Sequence, residues 1–159
     1  MIAYLSLGSN LGDPAANIRQ GLERMSSDEI RVLRLSSLFE TEPRDYADQA
    51  WFINAVAEVE TSLSPCDLLS RLLEVEQQMG RVRTIKNGPR ILDIDIVYYG
   101  NEAITLPGLE IPHPRIRERR FVLEPLAELN PDVRHPLTGE SVSELLSKVG
   151  DQNVRRTSS

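Results

Sequence analysis

The chain has 159 residues, 40% of them hydrophobic and 26% charged, with a formal net charge of −6 at pH 7. That length suits one compact core, no apolar run approaches the ~20 residues of a membrane-spanning helix, and the acidic balance argues against a non-specific nucleic-acid binder. Cys66 is the only cysteine, which excludes an intramolecular disulfide and a cysteine-built zinc site.

Neither a basic leader nor a small-residue cleavage site is visible at the N-terminus, so a soluble, cytoplasmic protein is expected, with a monomer as the default. Residues 2–7 alternate loosely and read as a strand, running into the turn-rich stretch Gly8-Ser9-Asn10-Leu11-Gly12, whose glycines allow a close approach or a sharp bend. Asp13 then Pro14 is an N-cap followed by a proline at the first helical position, and Ile18, Leu22 and Met25 recur at helical spacing as far as Ser26-Ser27. Residues 30–41 and 52–61, rich in Val, Ile, Leu and Phe, read as strands around a polar loop at 42–50. Ser64-Pro65-Cys66-Asp67 has the form of a capping box, and Leu68, Leu72, Val75 and Met79 mark the apolar stripe of a second long helix ending at Gly80. A loop over 84–89, a strand over 91–99, a proline-studded segment over 106–114 and short helices over 120–129 and 142–149 complete the reading. The order strand, helix, strand, strand, helix, strand predicts an α+β fold of the ferredoxin-like split βαβ type. Its antiparallel sheet is expected to carry helices on one face and to leave the other face and its loops to ligands. Residues 1–150 read as a single domain and 151–159 as a mobile tail.

The strongest chemical signal is Asp93-Ile94-Asp95-Ile96 within the last strand. Alternation puts both carboxylates on one face, about 7 Å apart, and Leu92, Ile94 and Ile96 on the other. Two carboxylates so placed repel unless a cation lies between them, and oxygen donors without His or Cys favour hard ions, magnesium first and manganese second. The alternatives are that both aspartates face water or pair with neighbouring arginines. Arg81, Arg83, Lys86 and Arg90 form a basic island just upstream of them, and Arg115, Arg117, Arg119 and Arg120 form a second. A metal beside clustered cations is what a polyphosphate requires, and no Walker-type glycine loop offers another way to hold one.

Gly8-Ser9-Asn10-Leu11-Gly12, Thr41-Glu42-Pro43 with Asp48-Gln49 and Phe52-Ile53-Asn54-Ala55, the GRVR and GPRILDIDI runs of 80–96, and Pro112-His113-Pro114 leading to the RRFVLEPL run of 119–126 occur in this order. Together they resemble the 6-hydroxymethyl-7,8-dihydropterin pyrophosphokinases of folate biosynthesis, over about residues 1–130. The resemblance implies transfer of pyrophosphoryl from ATP to the hydroxymethyl group of the reduced pterin, with AMP leaving. It implies that Asp93 and Asp95 hold two magnesium ions, with Asp95 also able to assist proton transfer, and that Arg81, Arg83, Arg90, His113 and Arg119 position the phosphates. Glu76 and Ile96 would lie at the nucleotide, and Thr41, Glu42, Pro43, Phe52, Asn54 and Phe121 would form the pterin slot. The last assignment makes chemical sense, because Phe52 and Asn54 share a strand face, one offering a ring and the other an amide that both donates and accepts. Two departures stand out: the loop 84–88 is short and lacks the tryptophan found there in some members, and Arg44 replaces a hydrophobic residue beside the pterin. A nucleotidyltransferase, which would release pyrophosphate, and a catalytically silent binding module on the same scaffold are the rival readings.

Overall fold

The computed structural model describes residues 1–42, 51–80, 91–150, 152 and 154–157. Strands β1 (Ile2–Ser9), β2 (Ile30–Leu35), β3 (Phe39–Thr41), β4 (Phe52–Thr61), β5 (Asp93–Tyr99) and β8 (Val154–Arg156) form one antiparallel sheet. Its order is β5-β1-β4-β3-β8, with β2 on the same edge of β4 as β3. Helices α1 (Pro14–Met25) and α2 (Pro65–Gln78) follow β1 and β4, as the split βαβ order demands. β6 (Ile104–Leu106) and β7 (Leu109–Ile111) make a separate two-stranded ribbon where prolines forbid a central strand. A 3₁₀ turn (Ile116–Glu118), α3 (Arg120–Leu129) and α4 (Val142–Lys148) complete the chain.

The helix starts obey their local chemistry. Asp13 accepts from Ala16 N–H ahead of Pro14, and Ser64 accepts from Asp67 N–H ahead of Pro65. The reciprocal capping box forms at Ser141 and Glu144; Ser64 supplies only its own half. The strand expected over 30–41 breaks at 36–38, where the Ser36 hydroxyl accepts from Val56 N–H at 2.9 Å in place of a ladder partner.

One face of the sheet, with Ala3, Leu5, Leu7, Ala55, Ala57, Val59, Ile94 and Ile96, packs against α1 and α2. The approach is close. A Cβ on Gly21 of α1 would meet a Leu92 methyl at 2.5 Å, so only glycine lets the helix lie this near β5. The second face is not uncovered, which corrects the expectation of helices on one side alone. α3, α4 and the 3₁₀ turn bury Tyr4, Val56, Val97 and Tyr98 beneath Val122, Leu123, Leu126, Val142 and Leu145, because both short helices carry their own apolar stripe and must cover it. A register shift at Tyr4/Leu5 lets Val97 and Tyr98 both join this second cluster and returns Tyr99 to the first. Within the C-terminal stretch, Val154–Arg156 form β8, paired with β3. Among the described residues, no helix is long and apolar enough to cross a membrane.

Candidate active site

The second face of β1 carries two small residues in succession, Ser6 and Gly8. Gly8 stands opposite Asn54 on β4 and opposite Asp93 on β5; Ser6 stands opposite Val56 and Asp95. With strands ~4.8 Å apart, the amide and the carboxylate are separated by about two strand spacings across a residue that has no side chain. A trough therefore runs between β4 and β5. Asp93 and Asp95 line it half-buried while Leu92, Ile94 and Ile96 are buried on the helix side, so the alternation read from sequence holds.

The β4 side of the trough is preorganised. Asn54 is 5% exposed and Thr41 4% exposed, and Asn54 Nδ2 donates to Thr41 Oγ1 at 2.7 Å. Asn54 Oδ1 lies so close to the β1 backbone that a Cβ on Gly8 would stand 2.8 Å from it. Phe52 pairs with Thr41, and Phe39 with Asn54, on this same face. α3, which carries Phe121 in its first turn, packs on β3 and β4, and the Arg119 guanidinium lies over the Phe121 ring at 5.4 Å. Phe39, Phe52 and Phe121 are all of the chain's phenylalanines. Phe39 was not anticipated on this face; its register opposite Asn54 puts it there, and register is not readable from one strand alone.

The β5 side has a different character. Ser6, Asp95, Val97, His113, Ile116, Arg119 and Val122 enclose a gap of about 10 Å³, on the order of one water. Burial pushes the His113 pKa below its usual 6.5, Asp95 pulls it back up, and Arg119 and Arg115 push it further down. His113 is therefore neutral near pH 7. Its Nδ1 accepts from Arg115 N–H at 3.1 Å, which leaves Nε2 as the protonated, donating nitrogen.

The structure thus brings together Asp93, Asp95, His113 and Arg119 on one side, and Thr41, Phe52 and Asn54 on the other, with Phe121 against Arg119. Glu42 is exposed at the end of β3. Two assignments behave differently. Ile96 buries its side chain among α1 and α2, so only its main chain is available to a ligand. Glu76 is 3% exposed on α2, and its Oε2 accepts from Ile94 N–H at 2.7 Å; it supports the strand between the two aspartates from behind. Pro43, Arg44, Arg81, Arg83, Arg90 and the loop 84–88 lie outside the described residues. In the second basic island, Arg115 reaches Glu118, Arg117 reaches Glu140 and Arg120 reaches Glu124, and Arg119 lines the gap shared with Asp95 and His113.

Comparison with known proteins bears on this site directly. The model of the family described as 7,8-dihydro-6-hydroxymethylpterin-pyrophosphokinase matches residues 4–131, a span that contains every residue of the trough. The chain belongs to this pyrophosphokinase family. It is 46% identical over 159 residues to the folic acid synthesis protein fol1 of Schizosaccharomyces pombe, covering 99% of this chain and 22% of that protein. It is 41% identical over 154 residues to the 2-amino-4-hydroxy-6-hydroxymethyldihydropteridine pyrophosphokinase of Pseudomonas aeruginosa, covering 96% and 94%. The chain therefore spans about a fifth of the length of the fol1 relative and nearly all of the bacterial one. Among solved structures, a Plasmodium falciparum HPPK-DHPS with pteroate superposes with a TM-score of 0.71 at 17% identity, over 92% of this chain and 43% of that one. That likeness speaks to the fold, and the α+β, ferredoxin-like architecture is the one this pyrophosphokinase family shares.

Proposed function

We propose that this chain, with residues 1–150 as its catalytic domain, transfers the pyrophosphoryl group of ATP to the hydroxymethyl group of 6-hydroxymethyl-7,8-dihydropterin. The reading also includes a cytoplasmic monomer. The observation that supports it most is the Asn54–Gly8–Asp93 rung, where an amide suited to a pterin edge faces a carboxylate suited to a metal-phosphate across one bare backbone position.

The hydroxyl oxygen of the pterin attacks the β-phosphorus of ATP as its proton passes to water; the bond from that phosphorus to the α,β-bridging oxygen breaks, and AMP leaves with that oxygen. Asn54, held by Thr41, pairs with the polar edge of the pterin, and Phe52 and Phe121 take its two faces, so that the hydroxymethyl group is fixed toward β5. His113, neutral with Nε2 donating, and Arg119, braced on Phe121, offer a hydrogen bond and a positive charge to the phosphates. Asp93 and Asp95 fit magnesium by their donor chemistry: they are two carboxylates on one strand face, which suits an ion that completes its shell with phosphate and water. Bound there, two magnesium ions would neutralise phosphate charge and lower the pKa of the attacking hydroxyl.

The test is to incubate the protein with magnesium, ATP and the reduced hydroxymethylpterin and to resolve the nucleotides formed. AMP appearing one-for-one with the pterin diphosphate is the expected result. ADP would mean ordinary kinase chemistry, released pyrophosphate a nucleotidyltransferase, and binding without turnover a silent module.

A further inference from the structure

β8 and Gln152 lie beyond residue 131, where the family match ends, yet they contact the segments that carry Arg119 and Thr41. The N-cap of α3 is Arg119, whose own side chain makes no capping bond, so the first N–H of the helix, that of Arg120, needs another partner. Gln152 provides it. Its Oε1 accepts from Arg120 N–H at 3.0 Å and its Nε2 donates to Glu118 O at 2.7 Å. One amide thus grips the backbone on either side of Arg119, at the extended junction (φ −110, ψ 90) between the 3₁₀ turn and α3.

Directly after Gln152 in the described chain, β8 adds a strand to β3, with Val154 opposite Thr41 and Arg155 opposite Glu40. Thr157 N–H continues the ladder to Leu38 O at 2.9 Å. The Arg155 guanidinium meets the Glu40 carboxylate at 2.8 Å and lies over the Trp51 ring at 4.6 Å. Trp51 immediately precedes Phe52. Without β8, the short strand that carries Thr41 would be a sheet edge of three residues, hydrogen-bonded in the sheet to β4 alone.

We propose that the C-terminal segment is a positioning strap for the reaction: Gln152 fixes the backbone that aims Arg119 at the phosphates, and Arg155, through Glu40 and Trp51, fixes the Thr41–Phe52 wall of the pterin slot. The proposal rests on the assignment of the two halves of the trough to phosphate and pterin. It divides one tail between two substrates, and that division is what an experiment can read.

Gln152→Ala and Arg155→Ala are compared with the full-length wild type for AMP formation, varying each substrate in turn, with thermal melting alongside. Gln152→Ala is expected to raise the KM for ATP about tenfold and leave that for the pterin within twofold. Arg155→Ala should do the reverse. Gln152→Glu, which keeps an acceptor for Arg120 N–H but sets a carboxylate oxygen against Glu118 O, should recover at most half of the Gln152→Ala loss on a logarithmic scale. If both variants stay within twofold for both substrates, or if both KM values move together in each variant, the tail is at most a structural edge and the proposal is overturned. If Gln152→Ala melts too low to assay, Gln152→Glu alone decides by the same ATP-over-pterin split. Wild-type AMP formation is the internal control for the assigned activity, so failure of the strap and failure of the reaction assignment give different results.

Discussion

A methyl group added at Gly8 would test the trough at its narrowest point. The new Cβ would stand 2.8 Å from Asn54 Oδ1, well inside contact, while the backbone at Gly8 is not in the left-handed region and so accepts alanine without strain. The clash must be relieved by the Asn54 amide, whose donor is committed to Thr41 Oγ1 at 2.7 Å. Moving it weakens one buried hydrogen bond, a cost of about 1 kcal/mol, which for a domain of this length lowers Tm by about 2–4 °C. The effect on substrate is larger. A displaced amide leaves a buried polar edge of the pterin unpaired, a penalty of about 1–3 kcal/mol, or roughly 5- to 150-fold in kcat/KM for the pterin. The KM for ATP should stay within twofold, because Asp93, His113 and Arg119 do not touch the added methyl. Steady-state AMP formation with each substrate varied, together with a melting curve, reads all three quantities. Because the two side chains share one space, Gly8→Ala combined with Asn54→Ser should recover stability non-additively. If Gly8→Ala melts as expected but binds the pterin as tightly as wild type, Asn54 is not a pterin residue and the slot assignment fails.

Asp93→Ala and Asp95→Ala should each lower turnover at least a hundredfold while leaving pterin binding measurable by fluorescence, since several kcal/mol of charge stabilisation is at stake and about 1.4 kcal/mol is tenfold in rate; near-normal turnover in either would remove the metal role. Gly21→Ala should lower Tm by several degrees, because a Cβ 2.5 Å from the Leu92 methyl forces overpacking that costs about 1–3 kcal/mol, more than the ~1 kcal/mol of helix propensity gained; an unchanged or raised Tm would show that α1 can move off β5. Burial is the largest cause holding both His113 and His135 below 6.5, so the unfolded chain binds more protons just beneath that pH and stability should fall as pH drops through it. The chain has only these two histidines, and NMR titration can therefore follow each: addition of a non-hydrolysable ATP analogue should raise the His113 pKa and leave that of His135 in place, and equal shifts would contradict the phosphate contact.

Local chemistry was legible in the chain itself. Asp13-Pro14 and Ser64-Pro65 start α1 and α2 at the positions their capping residues dictate, and alternation along β5 assigns Asp93 and Asp95 to one face and Ile94 and Ile96 to the other, because side-chain direction in a strand depends only on parity. The motifs that carry the family resemblance likewise lie in contiguous runs. What needed the tertiary structure was every relation between strands. That Gly8 is the bare rung between Asn54 and Asp93, that Phe39 stands opposite Asn54, and that Val97 and Tyr98 both turn to the second face are consequences of register and of one bulge, which no single strand encodes. The burial of Glu76 behind β5 and the docking of the tail on β3 depend in the same way on partners far off in sequence. Chain composition sets what each segment can form; only the packing of distant segments decides which of their faces meet, since that choice minimises the exposed apolar surface and unpaired backbone of the whole molecule rather than of any one element.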